Sequence, residues 1–210
     1  AGYATTAVAE LTFGLLLDLC RNIGKCDTAA RNGGTKAGLI GFELEGRTMG
    51  IVGTGAIGAR VAKIADAFGM DVIAYSRTPG KVADVRYVSL EELLTQSDVV
   101  SLHVPLTDET RGMIGAEELA LMKETAVLVN TARGPVVDTK ALADALNSSR
   151  IAGAAIDVFD KEPPLDADEP LINAKNTVVT PHVAFATDES MIKRAEIEFR
   201  NIAEFIKDKR

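Results

Sequence analysis

The sequence has no tryptophan, two cysteines and two histidines in 210 residues, and its 30 acidic residues outnumber its 23 basic ones. Each scarcity excludes something. Cys20 and Cys26 have neither the spacing of a metal knuckle nor the number needed for a disulfide framework, so they read as reduced structural thiols, and no metal site is expected. A net charge of −7 argues against a broad nucleic-acid or anionic-membrane surface; an anion site would have to be built locally, from a few basic groups or backbone amides. The longest strongly apolar stretch, Leu11 to Leu19, is too short to span a bilayer and carries Asp18. Residues Ala1 to Thr6 lack the basic start and long apolar core of a secretory signal, which makes a cytoplasmic location the default expectation. No internal repeat, low-complexity tract or linker is visible. The chain starts without Met, directly in helical sequence, and therefore reads as an excised single domain over residues 1–210.

What is present is a regular alternation of segments. Val8, Leu11, Leu15, Leu16 and Leu19 recur at helical intervals and predict a helix from Thr5 to about Arg31. Short apolar runs predict strands at Thr48–Val52, Asp71–Tyr75, Val99–Leu102, Ala126–Val129, Gly153–Ile156 and Thr177–Thr180. Helical stretches at Ala56–Phe68, Ala116–Met122 and Thr139–Leu146 separate them. Ser89 followed by Glu92 predicts a capping box, and Thr187 caps a last helix that opens with Asp188 and Glu189. Strands that are apolar throughout and separated by helices imply an α/β fold with a doubly wound parallel sheet, of Rossmann type, covered on both faces.

The first strand runs into Gly53-Thr54-Gly55-Ala56-Ile57-Gly58, and a helix follows at once. That context gives each glycine a physical role. Gly53 allows the tight turn, Gly55 lets backbone approach a pyrophosphate, and Gly58 lets the helix pack close to the sheet. The amides opening the helix at Ala56 and Ile57 then bind the anion. At the end of the second strand, where an NAD site usually carries a carboxylate, the sequence has Ser76-Arg77-Thr78 instead, and Asp71 lies at the wrong end of the strand. A hydroxyl and a guanidinium suit a 2′-phosphate, so NADP is the expected cofactor and NAD the alternative.

Arg133, Glu162 and His182 each follow a predicted strand. In an open parallel sheet the carboxyl ends of the strands line one crevice, so residues far apart in the chain meet there. Reducing a 2-oxoacid needs a cation for the carboxylate and a proton donor for the carbonyl oxygen. Arg133 offers the planar fork, His182 the proton, and Glu162 a negative charge that stabilises the imidazolium. The other histidine, His103, ends a strand on the cofactor side. Singly, each of the three has an ordinary reading as a surface charge, turn residue or structural histidine; together, downstream of a cofactor turn, they point to chemistry.

These segments resemble the D-isomer-specific 2-hydroxyacid dehydrogenases, the family of glyoxylate-, hydroxypyruvate- and phosphoglycerate-metabolising enzymes, over nearly the whole chain. The resemblance rests on Gly50 to Gly58, His103-Val104-Pro105-Leu106-Thr107, Asn130-Thr131-Ala132-Arg133-Gly134, Asp157 to Pro163, and Thr180-Pro181-His182. It implies that Arg133 binds substrate, that Glu162 partners His182, and that His182 is the acid/base. It further implies that Val104, Pro105, Thr131 and Ala132 line the cofactor and that Asp157 approaches the nicotinamide carboxamide. Two departures stand out: the smaller substrate domain usual in the family is absent, and Phe185 stands where a tryptophan is common. The alternative to a dehydrogenase is a dinucleotide-binding module or sensor with little turnover. The resemblance also implies a homodimer, with residues 1–46 as a helical arm reaching to the partner, although the arm's apolar face would equally suit packing on its own sheet.

Overall fold

The computed structural model describes residues 2–208; Ala1, Lys209 and Arg210, which the expected domain included, lie outside the described residues. In chain order the elements are α1 (Thr5–Arg21), α2 (Ile23–Arg31), β1 (Thr48–Val52), α3 (Ala56–Ala67), β2 (Asp71–Tyr75), β3 (Arg86–Tyr87), α4 (Leu90–Gln96) and β4 (Val99–Leu102). They continue with α5 (Ala116–Leu121), β5 (Val127–Asn130), α6 (Thr139–Asn147), β6 (Gly153–Ile156), α7 (Pro170–Asn173), β7 (Thr177–Val179) and α8 (Asp188–Asp208). The strands form one sheet in the order β3-β2-β1-β4-β5-β6-β7, every neighbouring pair parallel, which is the doubly wound arrangement. Successive strands run outward from β1 to β3 and then restart at β4 on the other side of β1. Chain order thus reverses between β1 and β4, and loops diverge there to leave a crevice at the strand carboxyl ends.

The largely apolar strands are explained by two cores, one on each face. Along β4, β5 and β6, Val100, Leu128, Ala154 and Ile156 enter the core beneath α4, α5 and α6, while Val99, Val127, Val129 and Ala155 enter the core beneath α1 and α3.

Three local expectations need correction. The first helix is not continuous to Arg31: Asn22 adopts a left-handed conformation (φ 54°, ψ 39°), its N–H bonds the Asp18 carbonyl, and the Asp18 carboxylate accepts from the Gly24 amide at 2.7 Å. Asparagine tolerates that conformation better than most residues, so the helix stops and restarts. The arm is correspondingly two structures. α1 buries Ala9, Phe13 and Leu16 against its own sheet, whereas α2 has no buried residue. Ser89 does accept from the Glu92 amide at 3.1 Å, but the Glu92 carboxylate pairs with Arg86 at 2.6 Å rather than returning to the cap, so the box is half formed.

Candidate active site

The glycine turn leaves β1 with Gly53 at φ 97°, its N–H donating to the Tyr75 carbonyl at 2.8 Å. A Cβ at Gly53 would lie 2.7 Å from the His103 carbonyl oxygen, and one at Gly58 would lie 2.0 Å from the Gly53 carbonyl oxygen. Both glycines are thus demanded by the protein's own packing. Gly55 is different: its backbone is in an ordinary extended conformation (φ −70°), and a Cβ there would meet no atom within 4 Å. No contact among the described residues requires a glycine at that position, and the open space leaves room for close approach by a ligand. Gly55 also precedes α3 with no side chain to cap the helix, so the first amides of α3 are left for a ligand. Thr54, 3% exposed, has an Oγ1 with no hydrogen-bond partner among the described residues. The turn therefore fits a dinucleotide pyrophosphate on physical grounds.

From this turn a crevice of about 390 Å³ extends across the ends of β4, β5 and β7. Ala56 and Ile57 form one wall, His103, Val104 and Pro105 the floor after β4, and Thr131, Ala132 and Arg133 the floor after β5. His182 and Phe185 close the far end, where their rings meet edge-on at 5.6 Å. His103 is partly buried, hydrogen-bonds Ser101 Oγ through Nε2 at 2.9 Å, and is pushed down to a pKa of about 4 by desolvation. It is neutral in physiological buffer.

The substrate-side residues are held by backbone devices. Asn130 accepts from the Ala132 amide and donates to the Arg133 carbonyl, both at 3.0 Å, fixing the turn that aims Arg133. Gly134 touches the next loop so closely that a Cβ would fall 2.1 Å from the Phe159 carbonyl. The arginine loop and the loop bearing Glu162 therefore share a contact that only glycine permits. Arg133 is exposed, its guanidinium bonding the Ala132 carbonyl at 2.5 Å, and no carboxylate among the described residues pairs with it. His182 Nδ1 meets Glu162 Oε2 at 2.5 Å, with the histidine side chain 23% exposed and the glutamate 70%. His182 itself has left-handed backbone (φ 57°), a costly conformation for a non-glycine residue.

Asp157 supplies the restraint that holds this strain. Asp157, expected beside the nicotinamide, is fully buried. Its carboxylate accepts from Thr180 Oγ1 at 2.6 Å and from the Val183 and Ala184 amides at 2.9 Å, clamping both sides of His182. Ser76, Arg77 and Thr78 lie outside the crevice proper, at the end of β2; Arg77 is exposed, with its charge felt by Glu109, whose carboxyl is lowered first by a Thr107 hydrogen bond and in part by Arg77. The sequence gives no sign that Tyr3, Thr5 and Val8 belong to the site, yet they place the start of α1 on the crevice wall. Among the described residues no group of His, Cys, Asp and Glu could hold a metal ion, and no helix is long and apolar enough to cross a membrane.

Comparison with known proteins agrees with this geometry. The family described as D-isomer specific 2-hydroxyacid dehydrogenase, NAD binding domain, matches residues 13–184. A glyoxylate reductase of Aeropyrum pernix is 44% identical over 220 residues, covering 99% of this chain and 65% of that protein. The structure of a D-lactate dehydrogenase from Aquifex aeolicus complexed with NAD and lactic acid superposes with a TM-score of 0.91 at 35% identity, covering 99% of this chain and 68% of that one. An acyclic imino acid reductase in complex with NADPH and D-Arg does so at 0.90 and 35%, covering 98% and 66%. The chain thus spans about two thirds of the length of these relatives. With the parallel sheet, the glycine turn and the family match in agreement, the chain belongs to the D-isomer specific 2-hydroxyacid dehydrogenases, as their NAD(P)-binding domain.

Proposed function

We propose that the crevice binds NADPH in preference to NADH and that, in the complete enzyme, it serves the reduction of a small 2-oxoacid such as glyoxylate or hydroxypyruvate. The observation that carries this reading is the 2.5 Å pair between His182 Nδ1 and Glu162 Oε2 at the end of a crevice that also presents Arg133. When bound, the reduced nicotinamide supplies a hydride to the carbonyl carbon. Arg133 binds the substrate carboxylate through its planar fork and, beside the carbonyl, favours negative charge developing on oxygen. With Nδ1 engaged by Glu162, the Nε2–H of His182 is the proton given to that oxygen, and neutral His182 takes it back in the reverse direction. The geometry puts a reason behind each polar group, which a purely structural role for all three would not.

The preference for the phosphorylated cofactor rests on Ser76, Arg77 and Thr78 at the end of β2, where Arg77 is exposed and has no ion-pair partner within 4.0 Å among the described residues. A 2′-phosphate there gains charge-assisted hydrogen bonds that a ribose hydroxyl does not. A homodimer is proposed through α2 and the following segment, where Ile23 and Ile40 are 52% and 89% exposed; a monomeric mass by light scattering would count against it. The cofactor reading is tested by titrating this chain with NADPH and NADH, and tighter NADH binding would overturn the preference. The catalytic reading is tested by reduction of glyoxylate and hydroxypyruvate by the complete enzyme, with His182→Ala expected to lose nearly all turnover while keeping cofactor affinity.

A further inference from the structure

Two buried hydroxyls connect α1 to the crevice floor. Thr12, fully buried, places Oγ1 2.8 Å from the Val8 carbonyl and 2.9 Å from Thr131 Oγ1, across 119 residues of sequence. A carbonyl only accepts, so the single Thr12 proton is committed to Val8, the usual back-bond of a threonine in a helix. The 2.9 Å contact then requires the proton of Thr131. With that proton turned inward, Thr131 Oγ1 keeps only lone pairs for any further partner. Thr131, 6% exposed, lines the crevice beside Arg133.

The direction of the crevice says what meets it. A pyrophosphate on the amides of α3 sends one half of the dinucleotide toward the end of β2 and the other across the order reversal toward β4 and β5. The half that reaches β5 carries the redox ring, because Arg133 and His182 are there. That ring bears a carboxamide, with an N–H2 group and a carbonyl.

We infer that Thr12 is a positioning residue for the cofactor: it fixes Thr131 as an acceptor, so that the crevice takes the N–H2 end of the nicotinamide carboxamide and disfavours a group with no donor. The inference rests on the cofactor reading above and adds to it a residue in a different layer of the fold. An apolar pair at positions 12 and 131 would pack as well without dictating polarity, and two buried hydroxyls are kept at a desolvation cost that their mutual bond offsets.

The test compares isothermal titration of this chain with the nicotinamide dinucleotide and with its 3-acetylpyridine analogue, in which a methyl group replaces the amide nitrogen. The unaltered chain should favour the carboxamide by about five-fold, the net worth of one hydrogen bond. In Thr12→Val the Thr131 proton loses its inward acceptor and turns to the crevice, where it serves the carbonyl common to both ligands; the preference falls to parity. Thr12→Ser restores the hydroxyl and with it the preference. Thr131→Val removes the oxygen and also falls to parity. A folded Thr12→Val that keeps the original preference overturns the inference, as does loss of the preference in Thr12→Ser. If Thr12→Val fails to fold, an unchanged ratio in Thr131→Val overturns it. An unaltered chain that binds neither dinucleotide refutes the cofactor reading and this inference with it, whereas binding without discrimination refutes this inference alone.

Discussion

Replacing Asp157 by asparagine keeps the shape of a fully buried side chain and changes which of its atoms can accept. Oδ1 accepts from Thr180 Oγ1 and the Val183 amide, and Oδ2 accepts from the Ala184 amide. If the asparagine oxygen takes the position that accepts two bonds, its NH2 group faces the Ala184 amide, donor against donor at a spacing that was 2.9 Å. Ala184 is 4% exposed, so its N–H has no recourse to water. An unsatisfied buried donor costs about 1–3 kcal/mol, and loss of the charge weakens the two remaining bonds, giving a total of about 2–4 kcal/mol. The cost concentrates where His182 is held at φ 57°, a conformation that itself costs on the order of 1–3 kcal/mol and persists only while its surroundings enforce it. Chemical denaturation should show the stability loss, and amide hydrogen exchange should show Val183 and Ala184 losing protection ahead of the sheet. The complete enzyme should lose turnover more than cofactor affinity. Unchanged exchange at both amides in Asp157→Asn would refute the clamp.

Gly134→Ala should destabilise by about 3 kcal/mol or more, because the new methyl lands on the Phe159 carbonyl rather than on a movable side chain, and a denaturation midpoint equal to that of the unaltered chain would contradict the contact. His103 has a folded pKa lowered from 6.5 to about 4, so the unfolded chain binds the additional proton between those values; its contribution to stability is full above about pH 6.5 and lost as pH falls toward 4, at most about 3 kcal/mol. His103→Gln should flatten stability against pH in that window, and parallel curves would count against the burial of a neutral ring. Arg77→Ala should weaken NADPH binding about ten-fold with little effect on NADH, less so in high salt, while Glu109→Gln should tighten NADPH; equal losses for both cofactors on changing Arg77 would sink the 2′-phosphate site.

The parts legible in the sequence are those in which a local pattern has a local cause. Gly53 and Gly58 are demanded by contacts within the turn and its neighbouring strand, and the runs Val99–Leu102 and Ala126–Val129 are largely apolar because both faces of the sheet are covered. Arg133 and His182 could be assigned to one crevice because a parallel sheet gathers its strand ends. What was not legible depends on distant partners or on a single tolerant residue. The break at Asn22 interrupts an otherwise helical pattern. The two-residue β3 is too short to show a period, and it exists because Arg86 and Tyr87 find the edge of β2. The clamp made by Asp157 is invisible in the sequence, since only the folded chain brings Thr180 and the Val183 and Ala184 amides around its carboxylate. Nothing near Thr12 in sequence announces Thr131.

The placement of α1 also bears on how the molecule is made. It packs over β5, β6 and β7, and the side chain of Leu19 fills the space above Gly153. During synthesis α1 leaves the ribosome well before those strands, so although Phe13 can stack early on Phe68 at the end of α3, the part of its apolar face that meets β5, β6 and β7 waits for their translation. Contacts of such long sequence separation slow folding and lengthen the life of sticky intermediates. The helix that walls the crevice therefore precedes β5, β6 and β7 in the chain and completes its docking only after they exist, so the crevice is finished late in folding.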